Sequence, residues 1–150
     1  MEERLGLSNG LLQAIKEAFE IKEQDIRTYS PLALAYIGDD VYDLVIRTVV
    51  VERANQAAAK LHRTAVQYVK AQAQAKIVDA ILEDLTEEEA DVYKRGRNAN
   101  SHTVAKNATR ADYRKATGFE ALVGYLYLTK RMDRVLELIS IGLEKTEMKL

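Results

Sequence analysis

Pro31 is the only proline in 150 residues, and this scarcity of helix breakers restricts the fold more than any other feature of the chain. Proline costs about 3 kcal/mol in a helix interior and glycine about 1 kcal/mol. Seven glycines are the other breakers, and good helix formers (Ala, Leu, Glu, Lys, Gln) fill the space between them. The pattern predicts an all-α fold with helices along the whole chain. Residues 1–150 suit one domain with a substantial core, and residues 1–29 read as an N-terminal helical extension concerned with packing or subunit contact. With no cysteine, disulfides, thiolate zinc sites and cysteine nucleophiles are excluded. No basic-then-apolar leader and no run of eighteen apolar residues is visible, so a cytoplasmic protein without membrane contact is expected.

The helical period is legible in most segments. Leu11, Leu12, Ile15 and Phe19 follow it after Ser8-Asn9, which offers a cap, and Ser30-Pro31 opens the next helix. Ile46 to Val51 is β-branched, but no turn and partner strand follow, so it reads as the far end of that helix. Asn55 is placed to cap a helix through Leu61, Ala65 and Tyr68, and alanine-rich sequence continues through Ile77, Ile81 and Leu82 as a second helix or a kinked continuation. Thr86-Glu87-Glu88-Glu89 has capping-box spacing. An apolar helix from Ala116 to Thr129 and an amphipathic one from Met132 to Lys145, with Val135, Leu136, Ile139 and Leu143 on one side, close the chain.

The net charge of −1 hides a segregation. From Asp79 to Asp91 there are seven acids and no base, and from Lys94 to Lys115 seven bases against Asp112 alone. The acidic block is mostly helix-start grammar, since carboxylates favour the positive end of the helix dipole. The basic block flanks a polar stretch, Asn98 to Thr109, and could face polyphosphate.

Two helical segments carry carboxylates where apolar residues would be cheaper. In Tyr36-Ile37-Gly38-Asp39-Asp40-Val41-Tyr42-Asp43, Asp39 and Asp43 are one turn apart and repel. In Gly118-Phe119-Glu120-Ala121-Leu122-Val123-Gly124-Tyr125-Leu126-Tyr127-Leu128, Glu120 is the sole charge of a run that otherwise reads as buried. Gly38 adjoins Asp39, and Gly124 lies one turn beyond Glu120. If the two helices cross at these glycines, Asp39 and Glu120 meet and make an oxygen site suited to Mg²⁺ or Mn²⁺.

These residues bear a family resemblance. Tyr36-Ile37-Gly38-Asp39 followed by Asp40-Val41-Tyr42-Asp43 resembles the signature helix of the ribonuclease III catalytic domain, commonly Phe-Leu-Gly-Asp-Ala-Val-Leu-Glu. Phe119-Glu120-Ala121-Leu122-Val123-Gly124 looks like that family's second metal motif. Leu32 to Asp39, together with Arg95-Gly96-Arg97-Asn98-Ala99, is similar to the subgroup called Mini-ribonuclease III. The likeness spans roughly residues 30 to 140, with three motifs in the same order.

The resemblance implies a homodimeric helical endonuclease that hydrolyses phosphodiester bonds in double-stranded RNA, leaving 5′-phosphates and 3′-hydroxyls. In this subgroup it suggests maturation of the large-subunit (23S) ribosomal RNA precursor. Asp39 and Glu120 match the family's catalytic, metal-binding pair, with Mg²⁺ the expected cofactor and Mn²⁺ a substitute. Asp43 falls where the signature has a further acid. Ala35 and Thr117 stand where classical members have a glutamate and an aspartate, so Asp43 and Thr117 are at most supports behind the metal ligands. Arg95, Arg97, Asn98, Lys106 and Arg110 are the candidates for RNA contact. No double-stranded-RNA-binding domain follows, so RNA grip is expected from this domain.

Blander and rival readings exist for each feature. The three aspartates could form a solvated helix face, and Glu120 could be neutralised by Arg47 or Arg114. Tyr36, Tyr42, Tyr68, Tyr125 and Tyr127 read as core, with Tyr36 at a subunit seam as the exception. His62 and His102 lack metal-ligand spacing. Asp39-Asp40-Val41-Tyr42-Asp43 also matches the Asp-Asp-x-x-Asp pattern of magnesium-dependent prenyl diphosphate enzymes, and a non-catalytic RNA-binding protein would keep the basic loop without needing the acids.

Overall fold

Ser30 and Pro31 start the helix around which the molecule is organised: the Ser30 hydroxyl accepts a hydrogen bond from the Ala33 amide at 3.1 Å, and Pro31 fills the first helical position, where its missing N–H costs nothing. The structure, a computed structural model, describes residues 10–99 and 109–150. Among these residues there are seven α-helices and no strand: α1 (Gly10–Ala18), α2 (Pro31–Arg53), α3 (Ala58–Val69), α4 (Ala71–Ile81), α5 (Glu87–Asn98), α6 (Arg110–Leu128) and α7 (Met132–Lys145). Single 3₁₀ turns occupy Ile26–Thr28 and Leu82–Asp84. The described residues contain no helix long and apolar enough to cross a membrane.

Helix α6 is the central element. Its residues Ala116 to Phe119 and Ala121 to Gly124 are all buried, and α2, α4, α5 and α7 pack around it. The α2–α6 contact is made by backbone against backbone. A Cβ on Gly38 would fall 1.7 Å from the Glu120 carbonyl oxygen, and one on Gly124 would fall 2.0 Å from that of Leu34. Only glycine permits this approach, and the packing gained offsets its cost of about 1 kcal/mol per residue.

Most of the buried apolar residues form one large cluster, and Leu34, Ala35, Val92 and Ala121 form a smaller second one. Tyr42 and Phe119 meet edge to face with ring centres 5.3 Å apart, and the Tyr42 hydroxyl donates to the Tyr68 carbonyl at 2.7 Å, so this fully buried phenol keeps a partner. Ile46, Ile77, Ile81, Leu122, Leu126, Val135 and Leu138 fill the remainder.

The β-branched run Ile46 to Val51 is helical, as its lack of a partner strand requires. The alanine-rich region resolves into two helices, α3 and α4, which part at Lys70, where ψ of 156° ends one ladder and begins the next. The Thr86–Glu89 capping box forms in both directions. Three expectations are corrected. Helix α1 ends at Ala18 and gives way to irregular chain, with Glu20 at positive φ, so residues 19–29 do not continue the expected N-terminal helix; residues 1–9, Ser8 and Asn9 among them, lie outside the described residues. Helix α3 begins after Ala57 with no side-chain cap, so Asn55 does not cap it. On α7 the buried face is Val135, Leu138, Ile139 and Gly142, and Leu136 points outward.

Candidate active site

The glycine crossing sets Glu120 of α6 against Asp39 of α2, close enough for a hydrogen bond between the two carboxyl groups. Burial first, and then the Asp39 carboxylate, push the Glu120 carboxyl up to about 8. Asp43, one turn along α2, adds to the effect. Its own carboxyl is raised by burial and by Asp39, with Arg47 acting in the opposite sense. Three acids thus crowd one place with little positive charge among them.

Among the described residues, the hydrogen-bond donor that relieves Glu120 is Gln74. Gln74 of α4, 2% exposed, donates through Nε2 to Glu120 Oε2 at 3.2 Å and to the Val69 carbonyl at 2.8 Å. Its own Oε1 is buried without a partner, and so is Oδ1 of Asp43. Buried acceptors are rarely left in this condition. Arg114, one of the two cations that could have neutralised Glu120, instead donates to the Arg97 carbonyl at 3.2 Å. Thr117 is buried, and its hydroxyl donates to the Tyr113 carbonyl at 3.0 Å.

Among the described residues no three His, Asp or Glu side chains are arranged as a ready-made metal cage. The donor set nevertheless fits a hard divalent ion. It is all oxygen, anionic and short of hydrogen-bond donors, and Mg²⁺ is commonly held by one or two carboxylates with water and phosphate oxygens completing its shell. Zinc would want nitrogen or sulfur ligands, which are absent from this cluster. The Asp-Asp-x-x-Asp run is divided between two faces: Asp39 and Asp43 face Glu120, whereas Asp40 borders a groove with Leu11, Leu44 and Lys130.

The candidate RNA contacts fall around the end of α5 and the start of α6. Arg95 is exposed and pairs with Asp91 at 3.3 Å. Arg97 lies 5.6 Å over the Tyr93 ring and donates to Asn98 Oδ1 at 3.3 Å. Asn98 ends α5, and Arg110 begins α6 behind a Thr109 cap. Both Asn98 and Arg110 are exposed. Lys106 and His102 lie outside the described residues. His62 is exposed on α3. Of the tyrosines, Tyr42 is core, whereas Tyr36 is 81% exposed.

Gln74 is absent from the sequence-derived site. A signal for it exists: it occupies the same stripe as Ile77, Val78 and Ile81, all fully buried, and a lone amide in such a stripe demands hydrogen-bond partners.

The model of the Ribonuclease III domain family matches residues 32–131, which includes both acid-bearing helices. The chain is 50% identical to the Mini-ribonuclease 3 of Enterococcus faecalis over 81% of its own length and 94% of the relative's. To that of Clostridium tetani it is 46% identical, over 81% and 82%. A crystal structure of a Fusobacterium nucleatum protein superposes with a TM-score of 0.74 at 32% identity, covering 84% of this chain and all of the other. By its matched domain and its likeness to these relatives, the chain belongs to the ribonuclease III family, in the group of the Mini-ribonuclease 3 proteins.

Proposed function

We propose that this protein cuts double-stranded RNA with a divalent ion, Mg²⁺ or Mn²⁺, held between Asp39 and Glu120, and that it works as a cytoplasmic homodimer whose two sites each cleave one strand. That it is an endoribonuclease follows from its family. The observation that carries the site assignment is the crowding of Glu120 by Asp39 at the Gly38–Gly124 crossing, relieved by the neutral Gln74 amide but by no cation named in its surroundings: a half-buried acid beside a like charge is what a cation would neutralise.

When bound, the ion supplies polarisation of the phosphoryl oxygens, a more acidic attacking water and charge stabilisation at the leaving 3′ oxygen. The chain supplies the rest. Helices α2 and α6, locked by backbone contact, fix the spacing of the two carboxylates to a degree that loops would not. The apolar wall of Tyr42, Phe119 and Leu122 limits water on the inner side. No protein nucleophile is required: water would add to phosphorus as the P–O3′ bond breaks and the 3′ oxygen takes up a proton, which leaves 5′-phosphate and 3′-hydroxyl ends.

Arg95, Arg97, Asn98, Lys106 and Arg110 are assigned to the RNA backbone, because A-form RNA is read mainly through phosphates and 2′-hydroxyls. The homodimer is supported by exposed Leu32, Tyr36 and Leu44 along one side of α2, an apolar surface that a second copy would cover. Residues 1–150 act as a single catalytic domain in this reading, and the 23S ribosomal RNA precursor is its proposed natural substrate.

Incubation of the purified protein with a fully paired RNA duplex tests the core of this reading. Cleavage is expected with Mg²⁺ and none with chelator, and Asp39→Asn is expected to keep RNA binding while losing cleavage. Parent-rate cleavage by Asp39→Asn would falsify the site assignment.

A further inference from the structure

We infer that Gln74 is a positioning residue for the metal site, a donor clamp that holds the Glu120 carboxylate in the orientation needed to receive the ion. The inference deepens the proposed function and rests on Glu120 serving as a ligand.

Three observations carry it. First, the orientation of the amide is determined. Nε2 has two hydrogens, and two acceptors stand in front of it, Val69 O at 2.8 Å and Glu120 Oε2 at 3.2 Å. Turning the amide over would set Oε1 against both acceptors and lose both bonds. Second, the donor is anchored to backbone. Val69 is the last residue of α3, and its carbonyl is among those that a helix end leaves without an intrahelical donor. The bond to Val69 therefore ties the amide to the α3–α4 corner while the second hydrogen points to Glu120. Third, the structure tolerates an unsatisfied buried Oε1 to keep this arrangement. An apolar residue in this place, 2% exposed, would carry no unsatisfied amide oxygen of its own, but it would strip the Val69 carbonyl and Glu120 Oε2 of their shared donor.

Metal-ligating side chains are commonly oriented by a second hydrogen bond of this kind, and loss of such a partner typically costs about 10- to 100-fold in metal affinity or activity. Here the bond occupies Oε2 of Glu120. The bond restrains the carboxylate through Oε2 and leaves its other oxygen free of Gln74.

The test compares Gln74→Met, which keeps the length and removes both donors, with Ile77→Val, a core truncation on the same helix. Mn²⁺ binding to the RNA-free protein, followed by electron paramagnetic resonance, gives a readout independent of turnover. Gln74→Met is expected to weaken Mn²⁺ binding about tenfold or more, to raise the Mg²⁺ concentration for half-maximal cleavage by a similar factor, and to lower kcat with little change in KM for the duplex. Ile77→Val should lower thermal stability and leave Mn²⁺ affinity unchanged. Gln74→Asn, whose amide sits on a stem one methylene shorter, should fall between parent and Gln74→Met. The inference is overturned if folded Gln74→Met binds Mn²⁺ like the parent, or if Ile77→Val shifts the metal requirement equally. It is also overturned if Gln74→Met and Gln74→Asn both fail to fold, which would make Gln74 an element of the fold alone. Asp39→Asn, run in parallel, separates the two levels: if it is inactive while Gln74→Met matches the parent, only the role of Gln74 falls.

Discussion

Two glutamates on neighbouring helices, Glu89 of α5 and Glu120 of α6, are both drawn into the protein and meet opposite surroundings. Glu89, 2% exposed, receives Arg134 in a two-pronged contact, Nε to Oε2 and Nη2 to Oε1, each at 2.9 Å. The Thr86 amide adds a third bond at 3.0 Å. The Arg134 guanidinium holds the Glu89 carboxyl below its usual range despite burial. Glu120 has two acids for neighbours and one neutral donor, and its carboxyl is pushed up to about 8. The buried acid is satisfied by the fold, and the half-buried one is left for something the fold does not contain. This contrast separates a structural carboxylate from a functional one better than burial does.

The largest expected effect tests that separation directly. Glu120→Gln should reduce duplex cleavage by about a thousandfold, the several kcal/mol attributable to the ion it helps to hold, and leave RNA affinity near the parent value. Glu89→Gln, assayed where it remains folded, should cleave within a few-fold of the parent. Single-turnover rates on one RNA duplex decide it, and equal losses from both variants would dissolve the distinction.

Stability should respond in the reverse order. Glu89→Gln removes the charge from the two-pronged contact, leaves Arg134 with Glu137 as its remaining anionic partner, and should cost about 2 kcal/mol, read as a lower denaturant midpoint. Glu120→Gln removes a carboxyl that must take up a proton on folding at neutral pH and should stabilise the metal-free protein there.

The two acids also pull the pH dependence in opposite directions. Glu120 titrates near 8 in the folded chain against an ordinary value of 4.5, so between these values the folded state binds the extra proton. Stability of the metal-free protein should therefore fall as pH rises through this window, by about 2 kcal/mol or more. Glu120→Gln should flatten the slope, and Mg²⁺ should offset it by favouring the ionised carboxylate. Glu89 has the opposite sign: its contribution is present above its ordinary value and is lost as pH falls below it. Urea denaturation in chelator from about pH 3 to pH 9 would show both limbs.

What the sequence disclosed depended on how local the signal was. Helix starts at Ser30-Pro31 and Thr86 were legible because capping chemistry sits within four residues. The crossing of α2 and α6 was legible for a rarer reason, since Gly38 and Gly124 each sat beside a misplaced acid and only close contact offsets both anomalies. The Glu89–Arg134 pair was not legible, because its partners are 45 positions apart and each has an innocent local role, in a capping box and in the first turn of α7. Gln74 escaped for a related reason: its place in the apolar stripe of α4 says that its amide needs partners, but the one that matters lies 46 positions away. Leu136 misled because one apolar residue at the edge of the stripe shifts its apparent centre.

The smallest effect should come from Asp43, and it shows how finely the crowding at Glu120 is graded. Asp43 is half-buried with Oδ1 unpartnered, and its charge contributes less than that of Asp39 to the shift at Glu120. Asp43→Asn keeps the shape, removes one like charge and supplies a donor. In chelator the variant should gain about 0.5 kcal/mol, the scale of a single partly screened like-charge contact one turn apart. With metal the sign reverses. The ion loses the attraction of a nearby anion that need not touch it, so the Mg²⁺ concentration for half-maximal cleavage should rise a few-fold while kcat at saturating Mg²⁺ stays within about threefold of the parent. Loss of kcat on the scale expected for Glu120→Gln would instead make Asp43 a direct ligand. The site would then hold three carboxylates, and the contrast with Glu89 would be sharper than the resting geometry displays.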